Sequence, residues 1–224
     1  ALYSVDLASC TSLNSSGLQF SGCKELVEVK NFTGTSVPKQ MFENCTSLRS
    51  IDLSNVVTIN ANAFNGCTAL KKADLSVAAK IGDKAFYGSG LTEVTISDDL
   101  TSRGSNIFTG SDIKEFKLAK ASKVYSVKDG ALYIGDMLIY YPSAKVPNEG
   151  KENEGTLVLP ESYADGAFEG AKGIRKLVVG KNVQTIVSGT FANCVNLTEV
   201  AFEEGSILVS IGDEAFMGCS ALET

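Results

Sequence analysis

Phenylalanine recurs along the chain at a nearly fixed spacing, and this recurrence limits the folds open to it. Five phenylalanines lie 22 residues apart, and three more follow an interruption with spacings of 23 and 25 residues. They are Phe20, Phe42, Phe64, Phe86, Phe108, Phe168, Phe191 and Phe216. Self-similarity at a period of roughly 20–50 residues indicates a repeat protein. A unit this short cannot bury its apolar face alone, so the spacing predicts a solenoid whose stacked units share one core.

The residue two places after each of these eight phenylalanines is always glycine or asparagine. These positions are Gly22, Asn44, Gly66, Gly88, Gly110, Gly170, Asn193 and Gly218. Glycine and asparagine are the residues that most readily adopt a left-handed backbone conformation. The pattern therefore predicts a turn with positive φ at this position in every coil.

The next residue is always small. It is Cys23, Cys45, Cys67, Ser89, Ser111, Ala171, Cys194 or Cys219. Because serine and alanine replace cysteine, the position requires small size rather than a thiol, and a buried free cysteine behaves as a small apolar residue. Stacked Cβ atoms about 4.8 Å apart point in parallel, which does not suit a disulfide. Without a C-x-x-C pair, we expect no zinc site, and no cofactor. Cys10 lies outside this series and its state stays open.

Two apolar segments flank each of these turns. An L-x-x-I-x-L pattern such as Leu48, Ile51 and Leu53 follows the small residue, and its final alternation predicts a strand. A second apolar group precedes each phenylalanine. In "IGDKAF" and "IGDEAF", Asp83 and Asp213 stand where they can N-cap a one-turn helix. Each unit is thus predicted to contain a strand, a loop, a second extended piece and a helical turn.

These motifs resemble those of the BspA-like leucine-rich repeats. "AFNGCTALKKADL", "IGDKAF" and "IGDEAFMGCSALE" are similar to the family unit L-x-x-I-x-L-P…V-x-x-I-G-x-x-A-F-x-x-C, although the proline is clear only at Pro160. The resemblance covers nearly the whole chain. It implies an α/β fold, a right-handed leucine-rich-repeat solenoid with a parallel sheet on one face and little helix. It also implies a bacterial cell-surface or secreted protein, from a family associated with adhesion to host matrix proteins and other bacteria and lacking a catalytic motif.

Sixty residues separate Phe108 from Phe168, and their pattern differs from the repeat. In "VYSVKDGALYIGDMLIYYPSAK", Asp129-Gly130 and Gly135-Asp136 predict a β-hairpin or meander. A similar Tyr-rich insert is found in the resembling family. The polar segment 146–155 is predicted to be an exposed, mobile loop. We therefore expect one solenoid domain over 1–224, with regular coils at about 1–118 and 156–224 and an insertion at about 119–155.

Two sets of residues are candidates for protein binding. The insert contains Tyr125, Tyr133, Tyr140 and Tyr141, which either form an exposed aromatic platform or cover the interrupted side of the solenoid. The outward positions of the predicted strands carry both signs of charge, at Glu28, Lys30, Asp52, Lys72, Asp74, Glu93, Glu115 and Lys117. These charges either pair across strands and keep the sheet soluble, or form a mixed-charge binding surface.

Composition excludes several classes of protein. The net charge of −6 lacks the basic footprint of a nucleic-acid binder, and no apolar run approaches the roughly 18 residues of a membrane span. The absence of histidine rules out Ser–His–Asp catalysis and histidine-ligated metals. The acidic pairs Asp98-Asp99 and Glu203-Glu204 point to opposite sides of an extended chain, so neither forms a catalytic couple. We expect no enzyme activity, no small-molecule substrate, no nucleic-acid partner and no membrane insertion in this segment.

The predicted function is binding rather than catalysis. One hypothesis is a cell-surface or extracellular adhesin that contacts host matrix or bacterial surface proteins through a solenoid face, with any leader or anchor outside this segment. The alternative is a structural spacer that projects another domain from the cell surface. Substitutions of the charged outward residues distinguish the two hypotheses. A spacer keeps all partner binding after these substitutions, whereas an adhesin that uses this face loses it.

Overall fold

The computed structural model of the chain describes residues 2–10 and 16–223. The chain divides into two compact units, Ala1–Val124 (unit 1) and Tyr125–Thr224 (unit 2). The division falls inside the predicted insertion. The single solenoid domain over 1–224 stays a prediction, and each unit is described separately.

Unit 1 is built from short parallel strands. In chain order these are β1 (Ser4–Asp6), β2 (Glu28–Lys30), β3 (Ser36–Val37), β4 (Ser50–Ile51), β5 (Thr58–Ile59), β6 (Lys72–Leu75), β7 (Lys80–Ile81), β8 (Glu93–Ile96), β9 (Ser102–Arg103) and β10 (Glu115–Leu118). Strands β1, β2 and β4 form one parallel sheet, and β6, β8 and β10 form another. The second extended piece of each coil supplies the parallel sheet β3-β5-β7-β9. Both predicted strands are confirmed in the coils that begin with β2, β4, β6 and β8.

The phenylalanines of unit 1 stack as a ladder inside the coils. Successive ring centroids from Phe20 to Phe108 lie 5.5, 5.4, 5.1 and 5.9 Å apart, with ring planes 5° to 16° from parallel. Phe42, Phe64 and Phe86 are fully buried. Each of these three phenylalanines donates its backbone N–H to a carbonyl of the next coil, as Phe64 does to Ala85 at 2.7 Å. The predicted shared core is therefore confirmed in this unit.

The turn after each phenylalanine has the predicted backbone conformation. All eight glycine and asparagine positions have positive φ, from 58° at Asn44 to 77° at Gly110. Gly66 is constrained further, because a Cβ on it would lie 2.5 Å from Oδ1 of Asn44 in the preceding coil. An asparagine at this position thus requires a glycine in the coil that follows.

The predicted one-turn helices are wrong. The described residues contain no helix, and the segments before Phe42, Phe64, Phe86, Phe168, Phe191 and Phe216 consist of turns, while bends precede Phe108. Around Phe86 these turns close through i+3 to i bonds, such as Tyr87 N–H to the Lys84 carbonyl at 3.1 Å. Asp83 does not cap its own coil, because its Oδ1 accepts from Ser105 N–H of the next coil at 2.8 Å. The described fold is thus a parallel-strand β-solenoid rather than an α/β fold, and its handedness stays a prediction.

The small residues line the interior as expected, and the five cysteines among them, Cys23, Cys45, Cys67, Cys194 and Cys219, form no disulfide. The Cys45 thiol donates to the Phe20 carbonyl at 3.0 Å, and the Cys67 thiol donates to the Phe42 carbonyl at 3.1 Å. Each thiol therefore bonds to the coil before it. Ser89 holds the same position, but its buried hydroxyl has no hydrogen-bond partner among the described residues.

Unit 2 begins with an antiparallel meander and continues as parallel coils. Its strands are β11 (Tyr125–Lys128), β12 (Ala131–Ile134), β13 (Met137–Tyr140), β14 (Thr156–Val158), β15 (Lys176–Val179), β16 (Thr185–Ile186), β17 (Glu199–Phe202) and β18 (Ser210–Ile211). Strands β11, β12 and β13 pair in sequence, and the turn residues Asp129, Gly130 and Gly135 have positive φ. The predicted meander is confirmed. The parallel sheets are β14-β15-β17 and β16-β18.

The aromatic ladder of unit 2 starts from a tyrosine. Phe168, Phe191 and Phe216 stack with centroids 5.2 and 5.5 Å apart, and the Tyr141 ring lies 5.4 Å from Phe168 at 36°. The N–H of Tyr141 donates to the Ala167 carbonyl at 2.8 Å, the bond that Phe42 makes to Ala63. Tyr141 therefore occupies the phenylalanine position of an irregular coil.

The polar segment 146–155 is exposed only in part. Residues 149–154 are exposed, whereas Pro147 and Gly155 are buried. Its turns are closed by backbone bonds such as Gly155 N–H to the Pro147 carbonyl at 2.7 Å. The Asn148 side chain also donates to the Thr156 carbonyl at 2.9 Å.

Candidate protein-binding surface

The outward side chains of unit 1 form two rows across its strands, which together we call the unit-1 face. The first row is Ser4, Glu28, Ser50, Lys72, Glu93 and Glu115, and the second is Asp6, Lys30, Asp52, Asp74, Thr95 and Lys117. Strand pairing keeps the rows in register within each of the two sheets, as in Lys72 beside Glu93 and Glu93 beside Glu115, whereas β4 and β6 are not paired with each other. Residues between the rows, such as Val94 and Phe116, point inward and are buried. Strand alternation thus separates core from surface.

Each lysine of the unit-1 face has a glutamate partner. Lys72 Nζ lies 3.3 Å from Glu93 Oε2 on the neighbouring strand. Lys30 and Lys117 instead pair along their own strands, with Glu28 at 2.8 Å and Glu115 at 3.0 Å. Residues i and i+2 of a strand share a face, so both arrangements suit the same rows. Cross-strand pairing was predicted and holds for one of the three.

These ion pairs are exposed and contribute little to stability. The side chains of Lys72 and Glu93 are 74% and 46% exposed, and such pairs are worth about 0–1 kcal/mol. A hydrogen bond to Glu28 raises the pKa of Lys30, and a hydrogen bond to Glu115 raises the pKa of Lys117. Both lysines therefore stay charged at neutral pH.

The three aspartates of the second row, Asp6, Asp52 and Asp74, form no ion pair with a lysine or arginine within residues 2–10 and 16–223. Oδ1 of Asp52 accepts from Ser54 N–H at 2.9 Å, and Oδ1 of Asp74 accepts from Ser76 N–H at 3.0 Å. Hydrogen bonds from Ser54 hold the pKa of Asp52 below its ordinary value. These bonds fix the direction of each carboxylate while leaving it on the surface.

A shallow, open depression of about 340 Å³ lies on the unit-1 face. It is lined by Lys72, Ala73, Asp74, Ser76, Glu93, Thr95 and Ala119. Its lining therefore combines the exposed Ala119 with the Lys72–Glu93 pair and the Asp74 carboxylate.

The outward rows of unit 2 differ in chemistry. Lys176 and Glu199 pair at 2.6 Å across β15 and β17, in the register position that Lys72 and Glu93 hold in unit 1. The second row is apolar, because Val158, Val178 and Ala201 stand side by side. Val158 is 57% exposed.

The tyrosines of the insert mainly support the core of unit 2. Tyr125 is only 4% exposed and offers no surface to a partner, which corrects the aromatic-platform hypothesis at this position. Tyr133, Tyr140 and Tyr141 are half-buried, and Tyr133 and Tyr141 pack against the unit 2 core. Burial raises the pKa of Tyr133 and that of Tyr141. Sequence alone could not predict which of the four tyrosines is most buried, because their burial depends on how the meander folds back onto Phe168.

The buried thiols and the two adjacent acidic residues Asp98 and Asp99 were the other groups of chemical interest. Burial raises the pKa of Cys45 to about 12 and that of Cys194 to about 12, so these thiols stay protonated. The described residues contain no cluster of three or more side chains able to hold a metal ion. Asp98 bonds to the Ser122 hydroxyl, and Asp99 lies 3.7 Å from Lys120. Over the same part of the chain, no helix is long and apolar enough to cross a membrane.

Parallel coils with an aromatic ladder, positive-φ turns and interior thiols define a leucine-rich repeat solenoid. The family model "BspA type Leucine rich repeat region" matches six copies, over residues 8–114 and 161–224. The chain belongs to the BspA-type leucine-rich repeat family. No match was found among curated proteins.

Solved structures show the same fold. A leucine-rich cell surface protein from Faecalibacterium prausnitzii A2-165 is 20% identical, with a TM-score of 0.60, over 99% of this chain and 76% of that one. The pneumococcal vaccine antigen PcpA is 16% identical, with a TM-score of 0.58, over 99% and 71%. A leucine-rich repeat protein from Eubacterium ventriosum ATCC 27560 is 16% identical, with a TM-score of 0.56, over 99% and 84%. At these identities the likeness concerns the fold alone.

Proposed function

We propose that this protein is a non-enzymatic, cell-surface or secreted adhesin that binds host matrix or bacterial surface proteins through the unit-1 face. The observation that carries the proposal is the contrast between a largely buried aromatic ladder and two outward rows of mainly charged side chains. Core packing does not require these charges. Their exposed ion pairs add little stability, which leaves recognition as the role that best accounts for them.

The solenoid presents these rows on a pre-ordered scaffold. Successive coils are joined by strand pairing and by bonds such as Phe42 N–H to the Ala63 carbonyl at 2.9 Å. Binding to such a surface requires no further ordering of the solenoid backbone. Less conformational entropy is therefore lost, and more of the interaction energy contributes to affinity.

The proposed surface location is supported by family membership and by the description of the F. prausnitzii relative as a cell surface protein. The proposed partner is a protein. Nucleic acid and other polyanions are disfavoured, because the chain carries a net charge of −6 and the unit-1 face has more acidic than basic groups.

Affinity capture with a matched pair of variants tests this function. The face variant carries Lys72→Gln, Asp74→Asn and Glu93→Gln. The control carries Glu149→Gln, Lys151→Gln and Glu152→Gln, which make the same changes of charge on the exposed turns of unit 2. Wild type and both variants are immobilised and exposed to host matrix extract and to bacterial surface extract. Captured proteins are identified by mass spectrometry and tested again as purified proteins.

We expect wild type and control to capture the same partner and the face variant to lose it. If the face variant retains every partner, the binding function of this face is wrong, and the spacer hypothesis replaces it. If wild type captures nothing specific from either extract, the adhesin proposal fails. Replacing the whole insert is a poorer test, because it removes Tyr141 from the aromatic ladder and threatens folding.

A further inference from the structure

We propose that the unit-1 face docks an extended, lysine- and arginine-rich segment of a partner protein, with Asp52 and Asp74 receiving its cationic side chains. This inference rests on the proposed function and adds the chemical class of the partner. It follows from the distribution of charge over the two outward rows, from the shape of the surface beside Asp74, and from the contrast with unit 2.

The charges of the unit-1 face do not balance. The two rows contain six carboxylates, at Asp6, Glu28, Asp52, Asp74, Glu93 and Glu115, and three lysines, at Lys30, Lys72 and Lys117. Each lysine is already paired with a glutamate of the first row. The uncompensated negative charge therefore lies in the second row, on its aspartates. A surface with this residual charge complements a basic partner and repels an acidic one.

The unpaired aspartates are centrally placed and oriented. Asp6, at one side of the unit-1 face, is engaged by the Asn31 side chain at 2.9 Å, whereas Asp52 and Asp74 hold the same row position in neighbouring coils. Each carboxylate accepts from a backbone N–H of its own turn, and Asp52 also accepts from the Ser54 side chain. Because their rotamers are already restricted, little side-chain entropy is lost when a cation binds.

The depression beside Asp74 suits a long basic side chain. Lysine and arginine place an aliphatic stem against apolar surface while the charged group reaches a polar partner. Ala119, which is exposed, provides apolar surface and Asp74 provides the carboxylate, while Ser76 and Thr95 also line the depression. Asp52 lies one coil away, and the phenylalanine rings of these successive coils are 5.4 and 5.1 Å apart, so one side chain can enter here while another reaches Asp52.

An extended protein segment fits this surface better than other cationic ligands. Its side chains alternate in direction, with those on one side about 6.6 Å apart, so several can meet two rows of carboxylates at once. A single small cation can use only one or two of them. An anionic membrane surface or a nucleic acid carries the same sign of charge as the second row and is repelled.

The unit 2 rows provide an internal contrast. Lys176 and Glu199 neutralise each other, and the second row there is Val158, Val178 and Ala201. Those rows contain no uncompensated charge, so we expect them to contribute nothing to the recognition of a basic segment. Recognition of a basic segment should therefore depend on acidic residues of unit 1 alone.

Peptide binding to the full chain tests the inference. The probes are a fluorescein-labelled peptide of four Lys-Thr repeats and its Glu-Thr counterpart, measured by fluorescence anisotropy at low and at high ionic strength. The test variant is Asp52→Asn with Asp74→Asn. Asparagine keeps the side-chain oxygen that accepts from Ser54 or Ser76, so the turns are preserved. The control is Glu149→Gln with Glu152→Gln, which removes the same charge from unit 2.

We expect the Lys-Thr peptide to bind wild type and control equally, and to bind the Asp52→Asn/Asp74→Asn variant about tenfold more weakly. Binding should weaken with salt, and the Glu-Thr peptide should not bind. Equal weakening in the test and control variants would show that net charge alone attracts the peptide and would overturn the inference. So would unchanged binding by the test variant.

The partner found by affinity capture separates this inference from the proposed function. If capture is abolished in the Lys72/Asp74/Glu93 variant but unchanged in the Asp52→Asn/Asp74→Asn variant, the inference is wrong and the function stands. If wild type captures no partner, the function fails whatever the peptide result. Loss of capture in both variants, with retention in both controls, supports both proposals.

Discussion

In unit 1 five phenylalanines stack with ring planes 5° to 16° from parallel, whereas the ladder of unit 2 has three phenylalanines and begins at Tyr141, tilted by 36°. Tyr163 adds an edge-on contact to Phe168 at 5.9 Å. Both units nevertheless use the same bond from the aromatic residue's N–H to the next coil. The interior therefore requires an aromatic ring at this position, but parallel stacking is relaxed where the repeat becomes irregular.

The surfaces of the two units differ more than their cores. At equivalent strand positions, unit 1 presents Asp74, Thr95 and Lys117, while unit 2 presents Val158, Val178 and Ala201. The inward residues are apolar in both. Packing thus constrains alternate residues of each strand and leaves the others free to vary, so the repeat pattern does not specify the chemistry of the candidate surface.

The aromatic ladders give the largest expected effect. Phe64→Ala should lower the free energy of unfolding by about 3–5 kcal/mol, because it removes a fully buried ring between two others. Tyr141→Ala should cost about 2 kcal/mol, because Tyr141 is half-buried. Urea unfolding followed by circular dichroism measures both. A loss near zero for Tyr141→Ala would show that this ring does not belong to the ladder of unit 2.

The buried thiols predict a loss of stability at alkaline pH. Burial raises the pKa of Cys45 and that of Cys194 from 9.0 to about 12, so the folded state favours the protonated thiol. This contribution is complete below pH 9 and is lost as pH rises toward 12, with a slope of about 1.4 kcal/mol per pH unit for each thiol. Burial acts in the same direction on Cys67.

Cysteine variants test how much each unit contributes to the loss of stability at alkaline pH. Urea unfolding between pH 8 and pH 11 should show a shallower decline when Cys45 and Cys67 of unit 1 are both changed to alanine. Changing Cys194 of unit 2 to alanine should remove about half as much of the slope. If neither variant alters the slope, the thiols do not control the alkaline transition.

The positive-φ glycines provide a matched test of turn geometry. A Cβ at Gly66 would lie 2.5 Å from Asn44 Oδ1, and one at Gly218 would lie 2.6 Å from Asn193 Oδ1. Gly66→Ala and Gly218→Ala should each cost about 2–3 kcal/mol. Gly22→Ala should cost about 1 kcal/mol, because Gly22 has φ +74° but no atoms near its Cβ position. Adding Asn44→Gly should rescue Gly66→Ala in part, and the absence of rescue would exclude the steric explanation.

The smallest expected effects are stabilising, one in each unit. The Tyr141 hydroxyl and the Ser89 hydroxyl are buried with no hydrogen-bond partner in the described part of the chain. Tyr141→Phe and Ser89→Cys should each raise the free energy of unfolding by about 1 kcal/mol. Cysteine at position 89 places a thiol where its neighbours Cys45 and Cys67 bond to a phenylalanine carbonyl. Thermal unfolding measures both, and a lower melting temperature for either would contradict the packing described here.

The repeat made most of the interior predictable. The positive φ at Asn44 and Gly66 could be predicted from residue type. The small buried position could be predicted because different coils carry Cys67 or Ser89 there. The helix predicted at Asp83 fails because the carboxylate meets Ser105 of the next coil, a contact between stacked units that no local pattern contains.

The candidate surface was less accessible to sequence reasoning. Strand alternation identified Lys72, Asp74 and Glu93 as outward, and the structure places them there. Whether Lys30 pairs along its strand or across it depends on side-chain rotamers and not on spacing, so the unpaired state of Asp52 and Asp74 could not be foreseen. Tyr125 is buried by the folding of the meander, which sequence alone does not position.

The bonds between coils in unit 1 run in both directions from every regular repeat. The Phe64 N–H donates forward to Ala85, and the Cys67 thiol of the same coil donates backward to the Phe42 carbonyl. A duplicated 22-residue segment would therefore meet the acceptors and donors it needs on either side, without compensating changes in its neighbours. In-frame duplication or loss of single repeats gives such a gene a way to alter the reach of its product in steps of about 4.8 Å.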